Sequence, residues 1–504
     1  MLTKLESISY IGIDCVAVDV EVNVSNYGLP SFDIVGLPNK EINESRQRVK
    51  TALQNCGIQF PNKKITVNLA PADLPKQGSF YDLSIAAGII SEVYKLAIPQ
   101  SAVFFGELSL DGTLRHTRGS FPLALYAKEN NYKFIFLPAA CSLEVKNVPN
   151  VNFIFLNSLH DFISFLKYQK KISINYAHSS AKRSSTIDMS SIAGQSIAKR
   201  CLEVSAAGGH SLLMYGPPGA GKTLLASAYA TILPTLTESQ MVEVAKIYSL
   251  YGDQNSEIFS GQAPFRNPHH TVSFSGMLGG GNLPHPGEIT FAHHGVLFLD
   301  EICEFSSNVL NCLRQPLESG FIQIARNQRM VKFPSKFILF AATNPCPCGY
   351  YGHPTKKCVC TLSQIQRYVK RLSGPILDRI DLFLNVTSIE FSELVHNNFK
   401  AETSLQIQKR VEVARAVQQK RLLAYKLNCN SEITPDLLKK LCPLTQITSN
   451  ILEKAYTKYS LSTRGITRII KIARTIADLE LSANIEQSHI AEALQYRNNP
   501  TIVG

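Results

Sequence analysis

Residues 216–223 are Gly216-Pro217-Pro218-Gly219-Ala220-Gly221-Lys222-Thr223, a G-x-x-x-x-G-K-T pattern. Glycines at this spacing let successive backbone N–H groups wrap a triphosphate without Cβ clashes. Lys222 would reach the β- and γ-phosphates of ATP, and the Thr223 hydroxyl would hold Mg²⁺. A second apolar run, 295–299, ends in Asp300-Glu301. Asp300 would hold Mg²⁺ through water, and Glu301 would orient and deprotonate the attacking water. A third run, 337–343, ends in Asn344, whose amide can sense the γ-phosphate. Arg379 lies in the stretch 374–381 and could be a finger inserted into a neighbour's site. Its alternative is a local salt bridge with Asp378 or Asp381. Arg464, opening a helix that also carries Arg468 and Arg474, fits a second phosphate-sensing arginine.

Two further groups carry chemistry of their own. Cys346-Pro347-Cys348 and, after nine intervening residues, Cys358-Val359-Cys360 supply four thiolates. That is enough for tetrahedral Zn²⁺, and soft sulfur favours zinc over magnesium. The C-x-C pairs are tighter than the usual spacing. His353 is an alternative ligand, and reduced thiols or a labile disulfide are alternative fates. Residues 320–334 read as a hairpin with a turn at Asn327-Gln328. Arg326, Arg329 and Lys332 put three cations near its tip, suited to DNA phosphates or simply to solvent.

Elements must hold these groups in place. Residues 210–215 suit a buried strand and 223–231 a helix, so the glycine loop has the strand–loop–helix context it needs. Runs that end in carboxylates suit central parallel strands. Lys222 and Asp300 are 78 positions apart, long for one helix–strand unit, and the excess holds 268–282. Upstream, residues 14–24 alternate strictly, with valines at even positions and Asp19, Glu21 and Asn23 opposite. Helices over 43–56 and 82–93 and strands over 64–69, 104–110 and 133–137 complete an α+β domain ending near residue 167. Residues 168–186 read as a basic, polar linker. Beyond 390 the chain is helix-rich.

The chain has 504 residues, 45% hydrophobic and 18% charged, which suggests about three domains with real cores. Net charge is +12, compatible with nucleic acid. Twelve cysteines with one cluster fit a reducing compartment better than a disulfide framework. No apolar run reaches the ~18–20 residues of a membrane span, and no signal-peptide core opens the chain. A cytoplasmic protein with no membrane partner is expected.

Residues 70–82 and 106–121 resemble the proteolytic domain of Lon proteases. At the Lon nucleophile position this chain has Phe80, and at the Lon lysine position Phe121. A phenyl ring neither attacks a carbonyl nor takes a proton, so peptidase chemistry is lost. Ser79, Lys76 and Lys128 are the nearest hydroxyl and amines. The phosphate loop, Asp300-Glu301, Asn344, Arg379 and Arg464 together resemble an AAA+ ATPase. The extra loops resemble the magnesium-chelatase and MCM-helicase branch, in which both project into the ring pore.

Residues 264–270, 286–289, 344–349 and 473–479 are similar, with these motifs, to the bacterial magnesium-chelatase-like ComM (YifB) family. The resemblance runs nearly end to end. It implies an AAA+ α/β core at 187–395, a helical lid at 396–504 carrying Arg464 over the nucleotide, and a Lon-like domain at 1–167. It also implies a homo-hexameric DNA helicase extending branch migration during natural transformation. The alternative is a chelatase-type remodelling subunit acting on a protein partner; a protease is opposed by Phe80 and Phe121.

Overall fold

The computed structural model describes residues 2–36, 40–74, 76, 78–146, 148–171, 187–252, 261–281, 284–326, 329–353, 356–372, 374–387, 401–459 and 461–497. From 172 onward the expected linker lies outside them. The chain divides into two compact units: 1–180 with 245–259, and 181–244 with 260–504.

The first unit is built on a seven-stranded sheet. Its order is Ser31–Val35, Lys64–Ala70, Asp14–Ser25, Leu2–Ile11, Ala102–Phe104, Phe134–Pro138, Phe153–Leu156. The strict alternation of 14–24 does what period two requires: Val18, Val20 and Val22 are buried, Asp19 and Asn23 exposed. The helix Asp82–Tyr94 packs on the Leu2–Ile11 and Asp14–Ser25 strands. Its first residue, Asp82, is fully buried and pairs with Arg48 at 2.9 Å. Burial pushes the Asp82 carboxyl up to about 6 against the pull of that guanidinium. Arg48→Met would strand this carboxyl. The expected loss is about 3–5 kcal/mol, read as a lowered urea midpoint.

The strand expected over 104–110 is two pieces. Ala102–Phe104 stays in the large sheet, while Glu107–Leu108 pairs with Leu114–Arg115. The break falls at Gly106, whose N–H goes to the Phe80 carbonyl and whose carbonyl takes the Leu83 N–H. The two Lon dyad positions are apolar core. Phe80 stacks on Phe105 with ring centres 5.0 Å apart. Phe121 is buried, and its N–H donates to the Ser249 hydroxyl. Ser79 donates to Glu107, and buried Lys76 donates to the Pro71 carbonyl. The nearest hydroxyl and the buried amine are thus each committed elsewhere, and Lys128 is exposed.

The second unit holds a five-stranded parallel sheet, in the order Phe265–Arg266, Val296–Leu299, Ile338–Thr343, Leu212–Tyr215, Leu382–Asn385. The inner strands Val296–Leu299, Ile338–Thr343 and Leu212–Tyr215 are mostly apolar runs, as strands covered on both faces require, while the edge strand Phe265–Arg266 is half-buried. Leu212, Met214, Val296, Phe298, Phe340 and Leu382 share one core with the helices Ser196–Gly208, Lys222–Ile232 and Thr463–Leu479. The C-terminal part is helical: Ser404–Leu422, Pro435–Leu441, Gln446–Tyr459, Thr463–Leu479 and Gln487–Gln495. The Thr463–Leu479 helix ends just before Leu481, which takes a left-handed φ of 56°. Among the described residues no helix is long and apolar enough to cross a membrane.

Candidate functional site

The glycine loop follows the Leu212–Tyr215 strand and leads into the Lys222–Ile232 helix. Two constraints select its glycines. A Cβ on Gly216 would lie 2.1 Å from the Val386 carbonyl oxygen, and Gly221 sits at φ +88° in open space. The side chain of Lys222 is folded back over the loop. Its Nζ donates to the carbonyls of Gly216 (2.7 Å) and Pro217 (2.9 Å) and to Asn344 Oδ1 (3.0 Å). Burial lowers the basicity of this ammonium, against the pull of Asp300 and Glu301.

The two carboxylates both follow the strand Val296–Leu299, which is separated from Leu212–Tyr215 by Ile338–Thr343. Thr223 Oγ1 donates to Asp300 Oδ2 at 2.8 Å, so the two candidate Mg²⁺ ligands already touch. The Glu301 N–H donates to Asp300 Oδ1 at 3.0 Å. Glu301 itself is exposed and holds φ +50°, a backbone that non-glycine residues adopt at a cost of about 1–3 kcal/mol. The structure therefore brings Gly216, Pro217, Lys222, Thr223, Asp300, Glu301 and Asn344 to one place, the C-terminal edge of the sheet. Loop, helix N-terminus and paired oxygens fit ATP with Mg²⁺.

Arg379 and Arg464 are not brought there. Both line a cavity of about 670 Å³ with Ser211, Gly295, Phe337 and Asp381, residues that precede the parallel strands. Strands of four to six residues rise about 3.3 Å per residue, so roughly 13–20 Å of sheet separates this edge from Lys222. Arg379 donates to the Pro375 carbonyl and to Glu318. Asp378 faces Arg464 at 3.7 Å, while Asp381 takes Arg468 at 2.9 Å and His210 at 3.1 Å. The ion pair of Arg379 is thus with Glu318, 61 positions away, which no local reading of 374–381 reveals.

The four cysteine sulfurs converge just beyond Asn344. Cys346 lies 3.3 Å from Cys348 and 3.7 Å from Cys358, with Cys348 and Cys358 at 3.5 Å. All four Sγ atoms lie within 4.8 Å of one another. A tetrahedral ion with bonds of about 2.3 Å needs sulfurs about 3.8 Å apart, so the group could hold one metal ion. Backbone N–H groups of Tyr350 and Val359 draw the Cys348 thiol down to about 6. His353 Nδ1 is engaged by the Lys356 N–H.

One cluster escaped the sequence reading. His293 Nε2 and His294 Nε2 converge on Glu243 Oε2 at 2.8 and 3.0 Å. Its signal was the adjacent histidine pair before the strand that ends at Asp300. His293 Nδ1 accepts the Lys336 N–H at 3.0 Å, and burial pushes this imidazole down to about 4. The neutral ring must then carry its proton on Nε2, which donates to Glu243. A protonated nitrogen is no metal ligand, so the cluster is a clamp on Glu243.

The hairpin pairs Phe321–Arg326 with Arg329–Pro334, with Arg326 opposite Arg329 in register. Ile322, Ile324, Val331 and Phe333 face inward. Lys332 is exposed, its ammonium 3.8 Å from the centre of the Phe321 ring. The expected turn at 327–328 lies outside the described residues.

Comparison with known proteins agrees with this geometry. Residues 188–394 match the model described as magnesium chelatase, subunit ChlI. Residues 20–141 match subunit ChlI of Mg-chelatase, and 401–497 the ChlI C-terminal model. Competence protein ComM of Haemophilus influenzae is 42% identical over 96% of this chain and 95% of its own length. YifB of Salmonella typhimurium is 39% identical over 97% and 95%. Lon protease 2 of Bacillus subtilis is 25% identical over 138 residues, a quarter of each chain, in keeping with a Lon-like N-terminal region. With the phosphate loop, the acidic pair and the five-stranded parallel sheet all in place, the chain belongs to the ComM/YifB family of magnesium-chelatase-like AAA+ ATPases.

Proposed function

We propose that this chain is an ATP-driven motor on DNA, a homo-hexameric helicase of the cytoplasm that promotes branch migration in natural transformation. One observation carries the reading. The residues with candidate roles at the nucleotide lie at two edges of one sheet: Lys222, Thr223, Asp300, Glu301 and Asn344 at one, Arg379 and Arg464 at the other. A site divided in this way is completed when the second edge of one copy meets the first edge of the next, which a closed ring does for every site. In that ring, residues 216–223 hold the phosphates. Bound Mg²⁺ would supply positive charge to the phosphate oxygens, held from Thr223 and Asp300. Glu301 takes the proton of the attacking water, Asn344 positions that water, and both arginines serve the neighbouring copy. Along the chain, a Lon-like domain at 1–167, a linker at 168–186, the AAA+ core at 187–395 and a helical lid at 396–504 divide this work. Cys346, Cys348, Cys358 and Cys360 are read as a Zn²⁺ site.

DNA as the partner is supported by the +12 net charge, the hairpin with Arg326, Arg329 and Lys332, and the Haemophilus relative's name as a competence protein. The test is migration of a branched DNA by purified protein with ATP. Wild-type protein should bind DNA with a steep salt dependence. Replacing the three cations by Ala should lower the salt slope by about one per lost phosphate contact and abolish DNA-stimulated turnover, leaving basal ATPase intact. A triple variant that migrates branches at the wild-type rate would remove the hairpin from the mechanism. Turnover indifferent to DNA but raised by a protein partner would favour chelatase-type remodelling.

A further inference from the structure

We infer that the four-cysteine centre braces the phosphate loop, so that its metal occupancy sets how tightly the loop holds nucleotide. The inference rests on reading the centre as a Zn²⁺ site. It goes further, because that reading by itself says nothing about ATP.

The cysteine segment touches the loop at two points. Asn344, two residues before Cys346, accepts the hydrogen bond from Lys222 Nζ at 3.0 Å. Gly349, one residue after Cys348, lies against Pro218: a Cβ on Gly349 would sit 2.4 Å from Pro218 Cγ and 2.5 Å from Cδ. Gly349 holds φ +82°, so only glycine takes both this backbone and this approach without strain. Its N–H donates to the Cys346 carbonyl at 2.9 Å, and the Tyr351 N–H donates to Cys346 Sγ at 3.3 Å. Cys346, Gly349 and Tyr351 are therefore one hydrogen-bonded turn, wrapped on a sulfur that would itself be a ligand.

Cys358 and Cys360 come from ten and twelve residues further on, just ahead of the helix Leu362–Val369. A metal ion ties that distant segment to the turn. Without the ion, four sulfurs within 4.8 Å of one another, three of them 3.3–3.7 Å apart, have no shared counter-charge to hold them together, and the turn is free to move off Pro218. Pro217 and Pro218 have no backbone N–H with which to hold position. The wall that keeps the loop curved for phosphates is then lost. The lysine also loses its fixed amide partner. Pre-organisation of the loop is what the metal supplies, and outer supports of this kind are worth roughly 10- to 100-fold.

The test uses the full chain and three measurements. Elemental analysis of protein purified without chelator should find about one zinc per chain. Affinity for a fluorescent, non-hydrolysable ATP analogue is then measured before chelation, after chelation under reductant, and after Zn²⁺ is restored. Removal should weaken binding at least about tenfold and restoration should recover it. Gly349→Ala is the second arm, since it leaves every sulfur in place. It should keep its zinc and still bind the analogue at least about tenfold more weakly. If chelation unfolds the chain, Cys360→Ser decides the matter, since it removes one sulfur and leaves the Gly349–Pro218 approach untouched: zinc and analogue affinity should fall together, and lost zinc with unchanged affinity overturns the brace. Zinc present with nucleotide affinity unchanged in both arms overturns the brace while leaving the metal site standing. Protein that is folded without zinc, and gives no thiolate–cobalt absorption on adding Co²⁺, overturns the metal reading and the brace with it.

Discussion

Glu301→Gln is expected to bind ATP normally and to hydrolyse it roughly 10²- to 10⁴-fold more slowly, the contribution of a positioned general base. The geometry explains why binding should survive. Glu301 is exposed beyond the loop, and the groups that would grip phosphate and Mg²⁺ are Lys222, Thr223 and Asp300. The amide keeps the size of the carboxylate, so the left-handed backbone at φ +50° is undisturbed. Lys222→Ala should behave differently. It removes the cation that bridges Gly216, Pro217 and Asn344, and with it the charge that meets the phosphates. Binding and turnover should both fail. Equilibrium binding of a labelled nucleotide and steady-state phosphate release separate the two. Normal turnover in Glu301→Gln would move the base to another residue.

The parts of this site that were legible in the sequence are those where chemistry needs neighbours in the chain. Glycine spacing, the lysine after it and an acidic pair closing an apolar run are local patterns, and each landed on the element expected for it. The four cysteines were legible for the same reason. The strand Leu2–Ile11 was not, because its buried Ser7 and Ser9 break the apolar alternation that marks a strand. The break at Gly106 was hidden because its cause is a hydrogen bond to Phe80, more than twenty residues earlier. Aromatic replacement of the Lon dyad could be read directly, yet its packing could not: Tyr10, from the strand Leu2–Ile11, meets Phe80 edge-on and donates to the Gly119 carbonyl.

The arginines show the same limit more sharply. Sequence places Arg464 in a helical lid, and a lid suggests the chain's own nucleotide. The structure places it away from the phosphate loop, since the helix Thr463–Leu479 presents Arg464 and Arg468 beside Asp378 and Asp381, just before the Leu382–Asn385 strand. Which edge of a parallel sheet a helix reaches depends on long-range packing, and no local motif encodes it. Glu318 was equally invisible as the partner of Arg379.

That placement sets the second large effect. Arg379→Ala should keep nucleotide binding and lose roughly 10³- to 10⁵-fold in turnover, the scale of an arginine finger. A cis role is hard to reconcile with an arginine held by Glu318 and Pro375 at the edge away from Lys222. A trans role makes a demand that a structural role does not. When Arg379→Ala and Lys222→Ala chains are mixed in equal amounts, each variant is inactive alone. Some interfaces then join an intact phosphate loop to an intact Arg379, roughly a quarter of them under random mixing. Turnover should rise from near zero to a comparable fraction of wild type, with a maximum near equal ratio. Glu318→Gln offers a control on the pairing. It should release Arg379 without removing it, so turnover should hold or rise, whereas loss of a merely structural ion pair would lower stability in both variants alike. Mixed rings that form, bind nucleotide and stay inactive at every ratio would show that Arg379 does not act on a neighbour's site.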